Sequence, residues 1–280
     1  MLDAMGTLDI IRTINSEDKT VPDVVGGALP AIAAAVDAVT ASLRSGGRLI
    51  YVGAGTAGRL GCLDAAECVP TFGISPGTVI PVIAGGSRAF MSAVEGAEDC
   101  RSCGAARMSR LKVGPADFVM AVVASGKAPF VLGAMERAKG RGAGTGAIVN
   151  VRNAAVSQYC GFTIELLVGP EVIAGSSRMK AGMAEKLVLN MISTAAFVRL
   201  GRVYGNLMVG LKPLNSKIRE RSVRILSTIT GSTHDEAEGA LAGAGWDIRV
   251  ASLMLLKGLE PKEARRRLES AQWSLRAALG

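Results

Sequence analysis

At 280 residues, 49% of them hydrophobic and only 4% aromatic, the chain is long enough for one large α/β domain with a small appendage, its core filled by Ala, Val, Leu and Gly. The net charge of +8 suits an anionic small substrate, but no aromatic residues interleave with bases such as Lys262, Arg265, Arg266 and Arg267, which excludes a stacking platform for nucleic acid. The longest uncharged apolar stretch, LVLNMISTAAFV (187–198), is too short to span a bilayer and reads as a core helix.

In chain order, the opening residues lack the basic-then-apolar order of a signal peptide, so the expected location is the cytoplasm, with neither a membrane nor a nucleic-acid partner. Pro22 suits a first helical turn, and apolar residues recur at helical spacing through ALPAIAAAVDAVTASLRSG (28–46) until Gly46-Gly47 stops them. Five β-rich runs follow: RLIYVGA (48–54), TVIPVIAG (78–85), DFVMAVVAS (117–125), GAIVNV (146–151) and FTIELLVG (162–169). They are nearly continuous in apolar residues, the mark of parallel strands buried on both faces. Helical segments at 57–67, 88–99 and 129–140 separate them, predicting a three-layer, doubly wound, five-stranded parallel sheet. A long apolar helix over 180–201 then leaves the sheet, and beyond about residue 213 three short charged helices predict a small module. The expected division is 1–212 for the sheet domain and 213–280 for the helical module.

Cysteine and histidine usage narrows the chemistry. The five cysteines are odd in number and suggest reduced thiols. Cys100 and Cys103 form a C-x-x-C on one expected helix, with no second pair to complete a zinc site. The single histidine, His234, lies in a polar stretch far from every glycine loop and reads as a surface or helix-entry residue. Proton transfers therefore fall to carboxylates, lysines or tyrosines.

Ligands of an open parallel sheet collect beyond the carboxyl ends of its strands, and here those ends carry the loops GAGTAG, AGGSR and ASGKAP. Glycine lets the backbone approach a ligand, and each following helix offers unpaired N–H groups and a positive dipole end. Thr56, Ser87 and Ser125 add hydroxyls, so a phosphate-bearing ligand is expected. Gly53, Gly55 and Gly58 also spell the dinucleotide fingerprint G-x-G-x-x-G, but strand two ends Ile83-Ala84-Gly85-Gly86, without the acidic residue that grips a ribose.

GRLIYVGAGTAGRLGCLDAAEC, IAGG…AVEGAED, VVASGKAPFVLGA and GSSRMKAG…KLVLNM together resemble the N-acetylmuramic acid 6-phosphate etherases, proteins of the sugar-isomerase (SIS) fold related to the glucokinase regulatory protein. The similarity runs over nearly the whole chain. It implies cleavage of the D-lactyl ether of N-acetylmuramic acid 6-phosphate by elimination and water addition, with no metal and no cofactor, in a homodimer with sites near the interface. By motif match it makes Glu67 the acid and Glu98 the base. It places Gly55, Thr56, Gly86, Ser87, Ser125, Gly126, Ser176 and Ser177 on the sugar phosphate.

Spacing alone puts Glu95 and Glu98 on one helical face and does not choose between them. Apolar neighbours predict partial burial of Glu67, which would raise its pKa. Ser176 and Ser177 are expected to present hydroxyls and helix N-terminal N–H groups, and Lys180 reads equally as an ion partner or a surface lysine. The family pattern GAGTSGR appears here with Ala57, and SGRTP with Ala128, so two hydroxyls are missing from the phosphate loops. That departure keeps a non-catalytic sugar-phosphate sensor in view as the alternative, and a ketose–aldose isomerase as a third reading.

Overall fold

The computed structural model describes residues 1–213 and 215–280. Its elements are α1 (Thr7–Asp18), α2 (Val21–Gly27), α3 (Leu29–Arg44), β1 (Leu49–Gly53), α4 (Gly55–Phe72), β2 (Val79–Ile83), α5 (Arg88–Met91), α6 (Arg101–Arg110), β3 (Phe118–Val122), α7 (Pro129–Gly140), β4 (Gly144–Val149), β5 (Phe162–Glu165), α8 (Lys180–Arg199), β6 (Val203–Tyr204), β7 (Leu207–Met208), α9 (Ser216–Thr230), α10 (His234–Gly243), α11 (Ile248–Lys257), α12 (Pro261–Ser270) and α13 (Leu275–Leu279). Among the described residues, no single helix is long and apolar enough to cross a membrane. The chain forms two compact units: Met1–Ala65 with Gly77–Ser193, and Ala66–Pro76 with Thr194–Gly280.

The first unit is built on a five-stranded parallel sheet in the order β2-β1-β3-β4-β5. Every residue of β1 and β3 is buried, as their unbroken apolar sequence requires of strands covered on both faces. Arg48 and Asp117 tie the starts of these two strands together through a forked pair, with Nε to Oδ1 at 2.9 Å and Nη2 to Oδ2 at 2.6 Å. Burial alone would raise the Asp117 pKa, but Arg48 and the Gly114 N–H outweigh it and hold the carboxyl below its usual range. The strand order reverses between β1 and β3, so a crevice opens beyond their carboxyl ends.

Two of the fingerprint glycines serve packing. A Cβ on Gly53 would stand 2.7 Å from the backbone of Gly58, so the end of β1 and the first turn of α4 approach too closely for side chains. Region 88–99 departs from the expected helix. Only Arg88–Met91 is α-helical, and Gly96 takes a left-handed φ of 71° before a 3-10 turn at Ala97–Asp99. Glu95 and Glu98 therefore share no helical face.

In the second unit, α9 to α13 enclose an apolar cluster that includes Val223, Leu226, Leu241, Leu253 and Leu268. The three helices expected there form as α10, α11 and α12. Helices α9 and α13 and a short β6–β7 hairpin were not legible. Thr233 and Glu236 form a reciprocal capping box at the start of α10, and Asp247 caps α11. His234 opens α10 as an exposed residue within 3.5 Å of Glu220. Phe72 stacks on Phe197 with ring centroids 4.8 Å apart, which explains why 66–76 belongs to this unit.

Candidate active site

Two adjoining cavities of the first unit lie beyond the carboxyl ends of the strands, the smaller, about 140 Å³, between the loops after β1 and β3 and the larger, about 200 Å³, between those after β1 and β2, and together they suit a small-molecule ligand. Ala54, Gly55 and Glu98 line both and form their common wall. The smaller cavity is the hydroxyl-bearing one. Thr56 reaches it from the first turn of α4, Ser125 from the loop after β3, and Ser177 from the approach to α8. The larger is walled by Arg59, Ala84, Ala89 and residues 93–97, Glu95 among them.

The donors converge for local reasons. Within α4 the first N–H with a helical partner is that of Gly58, which donates to the Ala54 carbonyl at 3.2 Å. The preceding amide N–H groups are the ones a helix start leaves for an anion. Ser125 sits in a turn closed by the Gly126 N–H to the Val123 carbonyl at 3.0 Å. The start of α8 behaves otherwise. The N–H groups of Lys180 and Ala181 donate to the Glu171 carboxylate, each at 3.0 Å, so these helix amides are occupied and Ser177 contributes its hydroxyl alone. Lys180 is buried and donates to Glu17 at 2.6 Å, which settles it as an ion partner inside the fold.

Helices α4 and α8, which both reach the cavity, are pinned by Asp64. It accepts hydrogen bonds from the Tyr51 hydroxyl at 3.0 Å, the Ser193 hydroxyl at 3.3 Å and the Lys186 ammonium at 3.4 Å. Burial raises the Asp64 pKa despite these three donors.

The structure brings Gly55, Thr56, Ser125, Ser177 and Glu98 together. Gly86, Ser87, Gly126 and Ser176 are not among the lining residues of either cavity. Glu67 lies on α4, eleven residues beyond Thr56, or about 16 Å of helix. It is exposed rather than partly buried, because it projects from the same side of the helix as Leu63, itself 42% exposed. The cysteines differ from expectation too. Cys100 and Cys103 form a disulfide at the start of α6, where an i, i+3 placement leaves the Cα atoms 5.3 Å apart.

Sequence reasoning missed two lining residues. Arg59 faces the larger cavity one turn into α4, its Nε donating to the Phe90 carbonyl at 3.1 Å. Glu185 lines the smaller cavity from the second turn of α8. It is 1% exposed, and burial pushes its pKa up to about 8. The visible signal was one acidic residue inside the apolar run of 180–201.

A parallel sheet in this order with flanking helices, and glycine loops at its switch point, is the α/β architecture of the SIS domains. Residues 31–139 match the model of the glucokinase regulatory protein N-terminal SIS domain. The fold is also that of a phosphoheptose isomerase from Francisella tularensis, at a TM-score of 0.57 and 21% identity over 69% of this chain and 100% of that one. Over the whole chain the similarity is more specific. An N-acetylmuramic acid 6-phosphate etherase of Rubrobacter xylanophilus is 52% identical over 100% of this chain and 92% of its own length. One from Serratia proteamaculans is 47% identical over 99% and 94%. The chain belongs to the N-acetylmuramic acid 6-phosphate etherase family.

Proposed function

We propose that the two cavities together hold N-acetylmuramic acid 6-phosphate, with the phosphate in the smaller one against Thr56, Ser125 and Ser177. Full-length similarity to named etherases makes the chain a carbon–oxygen lyase of this specificity and sets aside the regulatory alternative. The observation that carries the assignment of chemistry is Glu98 in the wall between the cavities, beside both hydroxyl donors and open space.

An ether is hard to hydrolyse directly because an alkoxide leaves poorly, so elimination is the accessible route. In the open-chain aldehyde the C2 proton is acidified by the adjacent carbonyl. Glu98 takes that proton, the electron pair forms the C2–C3 double bond, and the C3–O bond breaks. Glu67 supplies the proton that releases D-lactate. Water then adds its oxygen to C3 and a proton returns to C2, giving N-acetylglucosamine 6-phosphate. Each glutamate contributes a general acid or base effect of roughly 10²–10⁴ in rate.

The homodimer gives the exposed Glu67 its role: α4 of one copy faces the cavity of the other, so each site takes Glu98 from one subunit and Glu67 from its partner. Leu63, exposed on the same side of α4, suits such a contact. The described residues of 213–280 form an accessory helical module in this reading. The reaction belongs in the cytoplasm, since a sugar phosphate carries charge that keeps it from crossing a bilayer.

Glu67→Gln and Glu98→Gln, assayed separately, are each expected to stop lactate release while keeping affinity for the product. Mixed after dissociation and reassociation, they are expected to recover about a quarter of wild-type activity, since half the dimers carry one intact site. A fully active single variant would refute its catalytic role. An inactive mixture of confirmed heterodimers would refute the shared site.

A further inference from the structure

The phosphate cavity poses a problem of charge and hydrogen bonding. Ala57 and Ala128 both line it, at the two positions where the family pattern has hydroxyls, so its donors are reduced to Thr56, Ser125, Ser177 and backbone amides. No lysine or arginine lines it, and the one acidic residue in its wall besides Glu98 is Glu185.

Glu185 is also the cavity-lining residue with unused hydrogen-bonding capacity. Its Oε1 has no hydrogen-bond partner among the described residues, although the side chain is almost wholly buried. Buried polar atoms are satisfied in the great majority of cases, and an orphan lining a cavity points to a ligand as the missing partner. Among the described residues no cation counters its burial, which alone shifts its titration. Lys180 on the same helix is engaged by Glu17, and Lys186 by Asp64 and Asn190. Glu171 is spent on the amides at the start of α8. Across the cavity the facing charged group is Glu98, an acid.

We infer that Glu185 binds the substrate phosphate as a neutral carboxylic acid, donating its proton in a hydrogen bond to a phosphate oxygen and replacing the donors absent at Ala57 and Ala128. A carboxyl group can serve an anion only in this form, as its ionised form has no donor and repels the ligand. The raised pKa, to about 8 and caused by burial, places the change of state within a measurable range. The inference rests on the sugar-phosphate reading of the cavity but not on the chemistry at C2 and C3.

The test is calorimetric affinity for N-acetylglucosamine 6-phosphate from pH 7 to pH 9.5, a range in which the ligand phosphate, with its second pKa near 6, keeps its charge. Wild-type affinity is expected to fall roughly thirtyfold, following the loss of the protonated form of a group with pKa about 8. Glu185→Gln, which has the same shape and stays a neutral donor, is expected to bind within a fewfold of wild type at pH 7 and to show no fall. Glu185→Leu is expected to bind at least tenfold more weakly at pH 7, with folding of both variants checked by circular dichroism. An unchanged pH dependence in Glu185→Gln overturns the inference, as does wild-type affinity in folded Glu185→Leu. So does an equal fall for N-acetylglucosamine without its phosphate. Lactate release is measured on the same preparations. A wild type that releases lactate with pH-independent affinity loses the Glu185 role but keeps the etherase reading. One that shows the pH-dependent phosphate binding without lactate release does the reverse.

Discussion

At Glu185 the cost of burial reappears in the stability of the fold. Its carboxyl is protonated in the native chain up to about pH 8, whereas in the unfolded chain it ionises near the ordinary value of 4.5. Between those values the unfolded state binds fewer protons, so stability falls as pH rises through the window, by an amount on the order of a few kcal/mol. Glu185→Gln removes that loss. Thermal unfolding at pH 7.5 should show the variant more stable than wild type, with the difference shrinking toward pH 4.5; a less stable variant at pH 7.5 would contradict the buried neutral acid. Residues divide sharply in how far sequence reveals them. The positions of Gly55, Thr56 and Ser125 on the cavity wall were legible because ligands of a parallel sheet collect at glycine loops and hydroxyls beyond its strand ends, and Ser177 because it stands just ahead of a long helix. Glu185 was not, since one acidic letter in a helix does not disclose whether its side chain meets solvent or a cavity. Glu67 shows the converse error, as apolar neighbours in sequence say nothing of which side of α4 it occupies.

Elements were easiest to read where one physical rule dominates. Continuous apolar runs located all five strands of the sheet to within a few residues, and Pro129 with a following apolar face marked α7. Region 88–99 misled because its composition suits a helix, while Ser92 turns extended after one helical turn and Gly96 then adopts a left-handed conformation ahead of Glu98, which lines the cavity. Helix α9 was missed because its strongly charged sequence, SKIRERSVRILSTIT, shows only a narrow apolar stripe. The packing of β1 against α4 gives a direct test at this scale. A Cβ on Gly58 would lie 2.7 Å from the Ile83 side chain and 3.0 Å from the Gly53 carbonyl carbon. Gly58→Ala should destabilise the protein by about 1–3 kcal/mol in urea unfolding, the usual cost of overpacking. Unchanged stability would mean that the glycine is not needed for the close approach of strand and helix.

At the scale of the whole molecule, the arrangement separates tasks. Unbroken apolar strands supply a rigid sheet, the switch between β1 and β3 opens a crevice, and the hydroxyls and helix amides lining it are what the proposed phosphate site draws on. In the proposed binding mode the reacting carbons fall beside Glu98, in the wall shared with the larger cavity. The dinucleotide fingerprint resolves within this frame: the backbones of Gly53 and Gly58 approach too closely for side chains, and Gly55 with Thr56 lines the smaller cavity. The most direct test of elimination followed by water addition is incubation of the protein with N-acetylmuramic acid 6-phosphate in water enriched in heavy oxygen, with mass spectrometry of both products. The account predicts D-lactate that retains its original ether oxygen and N-acetylglucosamine 6-phosphate labelled at C3. Heavy oxygen in the lactate with none at C3 would contradict it.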